Sequence, residues 1–197
     1  MLTNNYYEYK KLMFSGSSAY AGTHPTGIMF TDVRGSVIGG NNNPGIYPDQ
    51  SFRGDLGYWL NKARCRTFPT NTVNSNSHDS LGVYFGTGTT PATLADYRME
   101  RPIESGLSIT NPSRYTFVDN GAGKWTFSAS LVLTNTTGAE MNIYEIGIVT
   151  PLGTSVSGAW YPTLMEHTVL TEPITVPAGG AKLVTLTLTQ NNVLNVE

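Results

Sequence analysis

The sequence predicts a mainly β protein, an antiparallel β-sandwich with one or two short N-terminal helices, and three observations point there. First, Trp125, Phe127, Ala129, Leu131 and Leu133 alternate with Thr126, Ser128, Ser130, Val132 and Thr134. That is the period of two imposed by a half-buried strand. Second, from Val83 onward, short apolar runs are broken by turn chemistry such as Asn135-Thr136-Thr137-Gly138 and Pro177-Ala178-Gly179-Gly180. Roughly six to eight strands at such spacing are the signature of a sandwich. Third, only 13% of the 197 residues are charged, so Thr, Ser, Asn and Gly must supply most of the polar surface. Threonine suits an exposed strand face because its branched carbon fits the pleat while its hydroxyl meets water.

The elements follow in chain order. Residues 3 to 14 read as a helix, capped by Thr3 or Asn4, with Tyr6, Tyr9, Leu12 and Met13 on one face. This one-sided helix is expected to pack on its own domain or on a neighbouring subunit. Residues 15 to 54 are the least regular part, rich in turn residues such as Ser15-Gly16-Ser17-Ser18, Asn41-Asn42-Asn43-Pro44-Gly45 and Tyr47-Pro48-Asp49. Gly27 to Thr31 and Ser36 to Ile38 are expected as short strands around Asp32-Val33-Arg34-Gly35. Loops this long are functional, disordered or held by a partner, and these are read as partner-facing.

Asp55 to Arg66 predicts a second helix, with Leu56, Trp59, Leu60 and Ala63 on one stripe and Asp55 as the cap. Lys62, Arg64 and Arg66 complement its C-terminal dipole. Thr70 to Ser80 reads as polar linker. The domain reading is therefore residues 1–80 as a helical, loop-rich, partner-facing extension and residues 81–197 as the β-sandwich, Ig-like or jelly-roll-like.

Within the sandwich, Thr93 to Tyr97 is expected as one helical turn, and Leu107–Ile109 and Tyr115–Val118 as strands. Trp125–Leu133 and Met141–Val149 are expected to form a hairpin, with Ile146 and Ile148 on one face of the second strand and Ile143 and Glu145 on the other. Ile174 to Thr189 repeats the idea around Pro177-Ala178-Gly179-Gly180, with Val184, Leu186 and Leu188 pointing inward.

Net charge is −2, and the arginines are scattered, with Arg64 and Arg66 the densest pair. No basic stripe with interleaved aromatics exists, so nucleic-acid binding is not expected. A single cysteine, Cys65, rules out an internal disulfide framework and a multi-cysteine zinc site, and reads as a buried thiol. No stretch reaches the ~18 apolar residues of a membrane span, and the first residues do not read as a signal peptide. The expectation is a protein made in the cytoplasm and not bound to a membrane.

Motifs with chemistry each fail on spacing or context. Gly86-Thr87-Gly88-Thr89-Thr90-Pro91 lacks the Lys-Ser/Thr and third glycine of a phosphate loop. His24, His78 and His167 are far apart in the chain, and none shares a metal-ligand spacing with another. His78-Asp79-Ser80 holds the residue types of a hydrolase triad, but three consecutive residues cannot supply its geometry. Glu166-His167 reads as an edge or interface pair. No carboxylate pair stands out as the acid and base of a glycosidase. Trp160-Tyr161-Pro162, read as a loop after Gly158, is the best candidate for an exposed aromatic contact with a carbohydrate, and packing in the core or at a subunit interface is the favoured reading of it. No catalytic, cofactor-binding or metal-ligating residue is assigned, and no cofactor is expected.

The order of these turns carries a resemblance. Val83-Tyr84-Phe85-Gly86-Thr87-Gly88-Thr89-Thr90-Pro91 is followed by Asp96-Tyr97-Arg98-Met99-Glu100-Arg101-Pro102-Ile103. Then come Leu133-Thr134-Asn135-Thr136-Thr137-Gly138 with Ile143-Tyr144-Glu145-Ile146-Gly147, and Leu164-Met165-Glu166-His167-Thr168-Val169-Leu170 with Pro173 to Gly180. Over about residues 81 to 190 this series resembles tailed-bacteriophage virion structural proteins of the capsid-decoration, head-fibre or tail-accessory type. His167 stands where that group carries a basic residue.

The resemblance implies a non-enzymatic subunit located in the virion, made in the bacterial host cytoplasm. Its partners would be other virion proteins and further copies of itself, with no nucleic acid and no membrane. The alternative is a receptor- or carbohydrate-binding module of a phage fibre or spike, and the carbohydrate is unsupported by any motif.

Overall fold

The structure is a computed structural model that describes residues 3–8, 29–39, 46–48, 68–69, 73–74, 82–110, 115–121, 124–154 and 159–191. Among them are one short helix at residues 4–8 and eleven strands. In chain order these are β1 Met29–Thr31, β2 Val37–Gly39, β3 Ile46–Pro48, β4 Val73–Asn74, β5 Gly82–Gly86, β6 Leu107–Thr110, β7 Tyr115–Gly121, β8 Lys124–Asn135, β9 Met141–Thr154, β10 Ala159–Val176 and β11 Ala181–Asn191.

They form two antiparallel sheets packed against each other, a β-sandwich, plus a two-stranded ribbon. The five-stranded sheet runs β3-β9-β10-β4, and β5 lies beside β3 along the same edge of β9. The four-stranded sheet has β11 on one side of β8, with β6 and β7 end to end on the other. Leu131 and Leu133 of β8, Val83 and Phe85 of β5, Ile143 and Val149 of β9 and Leu164 of β10 are among the fully buried side chains of the core.

The alternation of β8 matches expectation: Phe127, Ala129, Leu131 and Leu133 are buried, while Val132 is exposed. Its partner does not. β8 and β9 belong to different sheets, so Trp125–Leu133 and Met141–Val149 are not a hairpin. Asn135 is the physical reason. Buried at the end of β8, its side chain donates to the carbonyls of Ala139 (2.7 Å) and Val176 (3.1 Å) and accepts from the Thr137 amide and hydroxyl. These bonds turn the chain across the sandwich instead of back along β8.

The Pro177–Gly180 break crosses between sheets in the same way, from β10 to β11. The two corners lean on each other through Asn135 N to Gly180 O and Gly179 N to Thr137 O, while Thr136 N donates to Gly106 O. Gly106 has φ +78°, and a Cβ there would sit 2.6 Å from Thr137 Cγ2, so only glycine fits this meeting point.

The ribbon β1–β2 forms around the Asp32 turn as its local chemistry predicts. Asp32 is fully buried and accepts from the amides of Arg34 and Ser36 and from Arg34 Nε. The ribbon docks on β10 through Val33 N to Pro162 O. Tyr47-Pro48, expected as turn, lies in β3 paired to β9, and Val73-Asn74, expected as linker, is β4 on β10. Strands from before residue 81 thus complete the sheet built by later ones. Thr93 to Asp96 is a single turn closed by Asp96 N to Thr93 O.

The N-terminal segment packs on its own domain. β10 bulges between Leu164 and Glu166, which frees carbonyls there. Thr3 donates to Leu164 O (2.7 Å) and Met165 O from its hydroxyl, and to Met165 O again from its amide. Asn5 donates to Leu164 O and Thr31 O and accepts from Thr31 N. The Thr3 hydroxyl, expected as a cap, is thus spent on β10, while the Thr3 carbonyl accepts from Tyr6 N. Residues 9–14, the helix expected at Asp55 to Arg66, Cys65, His24 and His78-Asp79-Ser80 lie outside the described residues.

Candidate functional site

Glu145 is an ionisable residue at a core position of β9, in the alternation Ile143, Glu145, Gly147, Val149. Its side chain is fully buried. Register places it opposite Gly86 of β5 on one side and Val169 of β10 on the other. His167 of β10 lies opposite Gly147, so its ring shares the Glu145 face of the sheet. Gly147 must stay bare there, because a Cβ would meet Met99 Sδ at 2.7 Å and Leu164 Cδ1 at 3.1 Å.

The connection from β5 to β6 folds over this face. Thr87 N bonds Arg101 O, Ile103 N bonds Phe85 O, and Glu100 accepts from the amides of Thr89 and Thr90 at 2.9 Å each. The folded segment delivers Asp96 to one ring nitrogen and two backbone amides to Glu145. Asp96 Oδ2 lies 2.5 Å from His167 Nδ1, and Glu145 Oε1 lies 2.9 Å from His167 Nε2. Glu145 also accepts from Glu100 N (2.5 Å) and Arg101 N (3.0 Å).

A carboxylate faces each ring nitrogen, which favours the imidazolium form, in which both nitrogens donate. Burial pushes the His167 pKa down, but the bonds and charges of Glu145 and Asp96 outweigh it and raise the value overall. Burial pushes Glu145 up, and the His167 bond and the Arg101 and Glu100 amides bring it below the usual range. Asp96 is likewise lowered despite partial burial, through its Thr93 and His167 bonds.

The glycines of the Val83–Pro91 motif serve this cluster. A Cβ on Gly86 would overlap Glu145 Oε2 and lie 2.7 Å from the Arg101 carbonyl, and one on Gly88 would meet the Glu100 and Glu145 carboxylates. The loop thus admits two carboxylates against its backbone, the opposite polarity from a phosphate cradle.

Chemically the arrangement is a clamp. Both His167 nitrogens are engaged by carboxylates, and the Thr93 hydroxyl donates to Asp96 (2.6 Å) and not to the ring. Among the described residues, the Thr93 hydroxyl is therefore held by Asp96 and is not set against His167 as an activated nucleophile. Among the described residues, no group of three or more His, Cys, Asp or Glu is placed to hold a metal ion. A hollow of ≈ 290 Å³ beside His167 is walled by the same loop, from Thr90 to Glu100.

Sequence reasoning missed this cluster. His167, expected with Glu166 at an edge or interface, is buried and faces away from that role, while Glu166 accepts from Thr168. The signal was present: an ionisable residue at a core position of an apolar strand needs a partner of opposite charge. The loop placement of Trp160-Tyr161-Pro162 is also corrected. Trp160, Tyr161 and Pro162 belong to β10, paired with Gly153, Leu152 and Pro151. The Tyr161 ring is half-buried, with the Arg34 guanidinium 5.7 Å from its centre. The Trp160 side chain lies outside the described residues.

Compared with known proteins, the chain matches no family model, no curated protein and no solved structure.

Proposed function

We propose that the chain is a non-enzymatic structural subunit of a tailed-phage virion, acting through protein–protein contacts on the capsid, neck or tail. The observation that carries this reading is spatial. Four of the six pieces of the ordered motif series that resembles phage structural proteins converge on one clamp around the buried Glu145 and His167, and the other two meet at the Asn135 corner. Gly86 and Gly88, Asp96, Glu100-Arg101, Glu145 and His167 come from four separate stretches and meet within hydrogen-bonding distance or close packing. The basic residue of the resemblance falls at His167, where two carboxylates require a cation. A motif series that fixes a loop to a sheet suits a scaffold whose task is to present surface to neighbours.

Symmetric repetition then makes modest contacts collectively strong, by raising effective concentration after the first contact. The test is co-purification. Particles banded on a density gradient should carry the chain at a fixed number of copies per particle, and the chain should resist removal by high salt. Its absence from banded particles, with the chain free in the lysate, would overturn the reading.

A further inference from the structure

Among the described residues, the edges of the two packed sheets are mostly short, bulged or covered. β10 is bulged at Leu164/Glu166 and Val169/Ile174, and its edge is occupied by Thr3 and Val33. β5 bonds the returning loop at Ile103 and carries a bridge from Gly86 to Pro102. β3 and β4 are three and two residues long. β6 and β7 divide the far edge of the second sheet into two pieces, and β7 ends in a register shift at Asp119/Gly121.

β11 differs. It runs 11 residues, Ala181–Asn191, in unbroken register with β8, and no strand lies on its other side among the described residues. It has no proline, no bulge and one charge, Lys182, near its start. Alternate amides and carbonyls of β11 therefore point outward as a template for another strand.

The geometry points to a second copy of this chain as the occupant, pairing β11 with β11 antiparallel about a two-fold axis at Leu186. This deepens the assembly reading and rests on it only for the expectation that copies meet. Leu186 is the middle residue of the strand, so that register pairs it along its full length. Thr185 then faces Thr187 of the second copy and Val184 faces Leu188, so hydroxyls meet on the outer face and aliphatics on the inner one about the axis, while the exposed Leu183 meets Thr189 at each outer end of the hydroxyl row.

The outer face already carries hydroxyl pairs, Ser130 with Thr185 at 3.0 Å and Ser128 with Thr187 at 3.1 Å. Pairing extends each into a four-residue row across the two copies. The two Lys182 side chains end eight residues apart along the ribbon, about 27 Å at the rise of a strand. That exceeds the ~8 Å screening length at physiological salt, so no like charges oppose one another. A strand of the same length, the same alternation and no opposing charge is what this edge accepts.

The test is a charge exchange at two exposed positions, read by sedimentation at about 50 µM, above the Kd of a micromolar interface. The T185K/T187K variant opposes lysines across the axis, and T185K/T187E opposes each lysine with a glutamate. Circular dichroism and melting report whether each variant folds. Wild type is expected as a dimer or a multiple of one, T185K/T187K at half that mass, and T185K/T187E restored to it at low salt. A monomeric wild type, or a mass unchanged by T185K/T187K, would overturn the pairing. So would a mass halved by the first variant and not restored by the second. Particle association is measured separately, so dimers absent from particles would sink the virion reading alone, and monomers present in particles would sink the pairing alone.

Discussion

Replacing His167 with leucine isolates the energetics of the clamp. The ring nitrogen and Glu145 Oε1 are 2.9 Å apart, and neither side chain is more than 5% exposed. Unit charges about 4 Å apart attract by about 4 kcal/mol at an effective dielectric of about 20. Removing one partner of a buried pair typically costs about 3–5 kcal/mol. The cost has a ceiling, because Glu145 can take up a proton instead of remaining charged without its cation. At pH 7 that protonation costs about 4 kcal/mol from an ordinary glutamate value, and at pH 5 about 1 kcal/mol.

His167→Leu should therefore lose about 3–4 kcal/mol at pH 7 and about 1–2 kcal/mol at pH 5. Asp96, being partly exposed, adds little to either figure. Urea unfolding at the two pH values measures both losses. Adding Glu145→Gln to the variant removes the orphaned charge and should recover part of the loss at pH 7 only. A loss below about 1 kcal/mol at pH 7, or the same loss at both pH values, would refute the ion-cluster argument.

Four further outcomes follow from the same geometry. Wild-type stability should be greatest between about pH 4.5 and 6.5. The raised His167 value contributes below its unfolded pKa and is lost as pH rises through the folded one, and the lowered Glu145 and Asp96 values contribute above theirs and are lost as pH falls; unfolding midpoints across pH 3 to 9 report it. Gly86→Ala should cost about 2–3 kcal/mol by forcing Glu145 and the Arg101 carbonyl apart, seen as a lower melting temperature. Asn135→Ala should cost about 1–3 kcal/mol by taking the side-chain donor from the Val176 carbonyl, while the Ala139 carbonyl keeps the Thr137 hydroxyl, measured by urea unfolding. Asn5→Ala should speed hydrogen exchange of the Thr31 amide, which donates to Asn5 Oδ1 at 2.7 Å, with little change at β8.

What could be read from the chain divides along the range of the interactions. The β1–β2 ribbon was legible because Asp32 organises it within four residues. The burial alternation of β8 and β11 was legible because period two is a local property of a strand. Strand partnership was not. The apolar pattern of β8 serves equally for pairing with β9 or β11, and the decision rests on Asn135 reaching Val176, 41 residues away. β3 and β4 escaped notice because two or three residues carry no period, and their pairing is dictated by the long strands β9 and β10.

The clamp was hidden for the same reason. Asp96 and His167 are separated by 71 residues and Glu145 and His167 by 22, so no spacing rule joins them. Only the placement of Glu145 and His167 in buried strands marked them, and that mark demands a partner without naming it. The glycines of the Val83–Pro91 segment could be set apart from a phosphate loop by spacing alone. Their close approach to two carboxylates appears only once β9 lies beside β5.

The proposed role in a virion is tested most directly by a density map of the intact particle. The account predicts the two-sheet sandwich at symmetry-related positions on the capsid, neck or tail, in contact with neighbouring subunits. A complete map of the particle with every density assigned to other proteins, and none fitted by this sandwich, would contradict it.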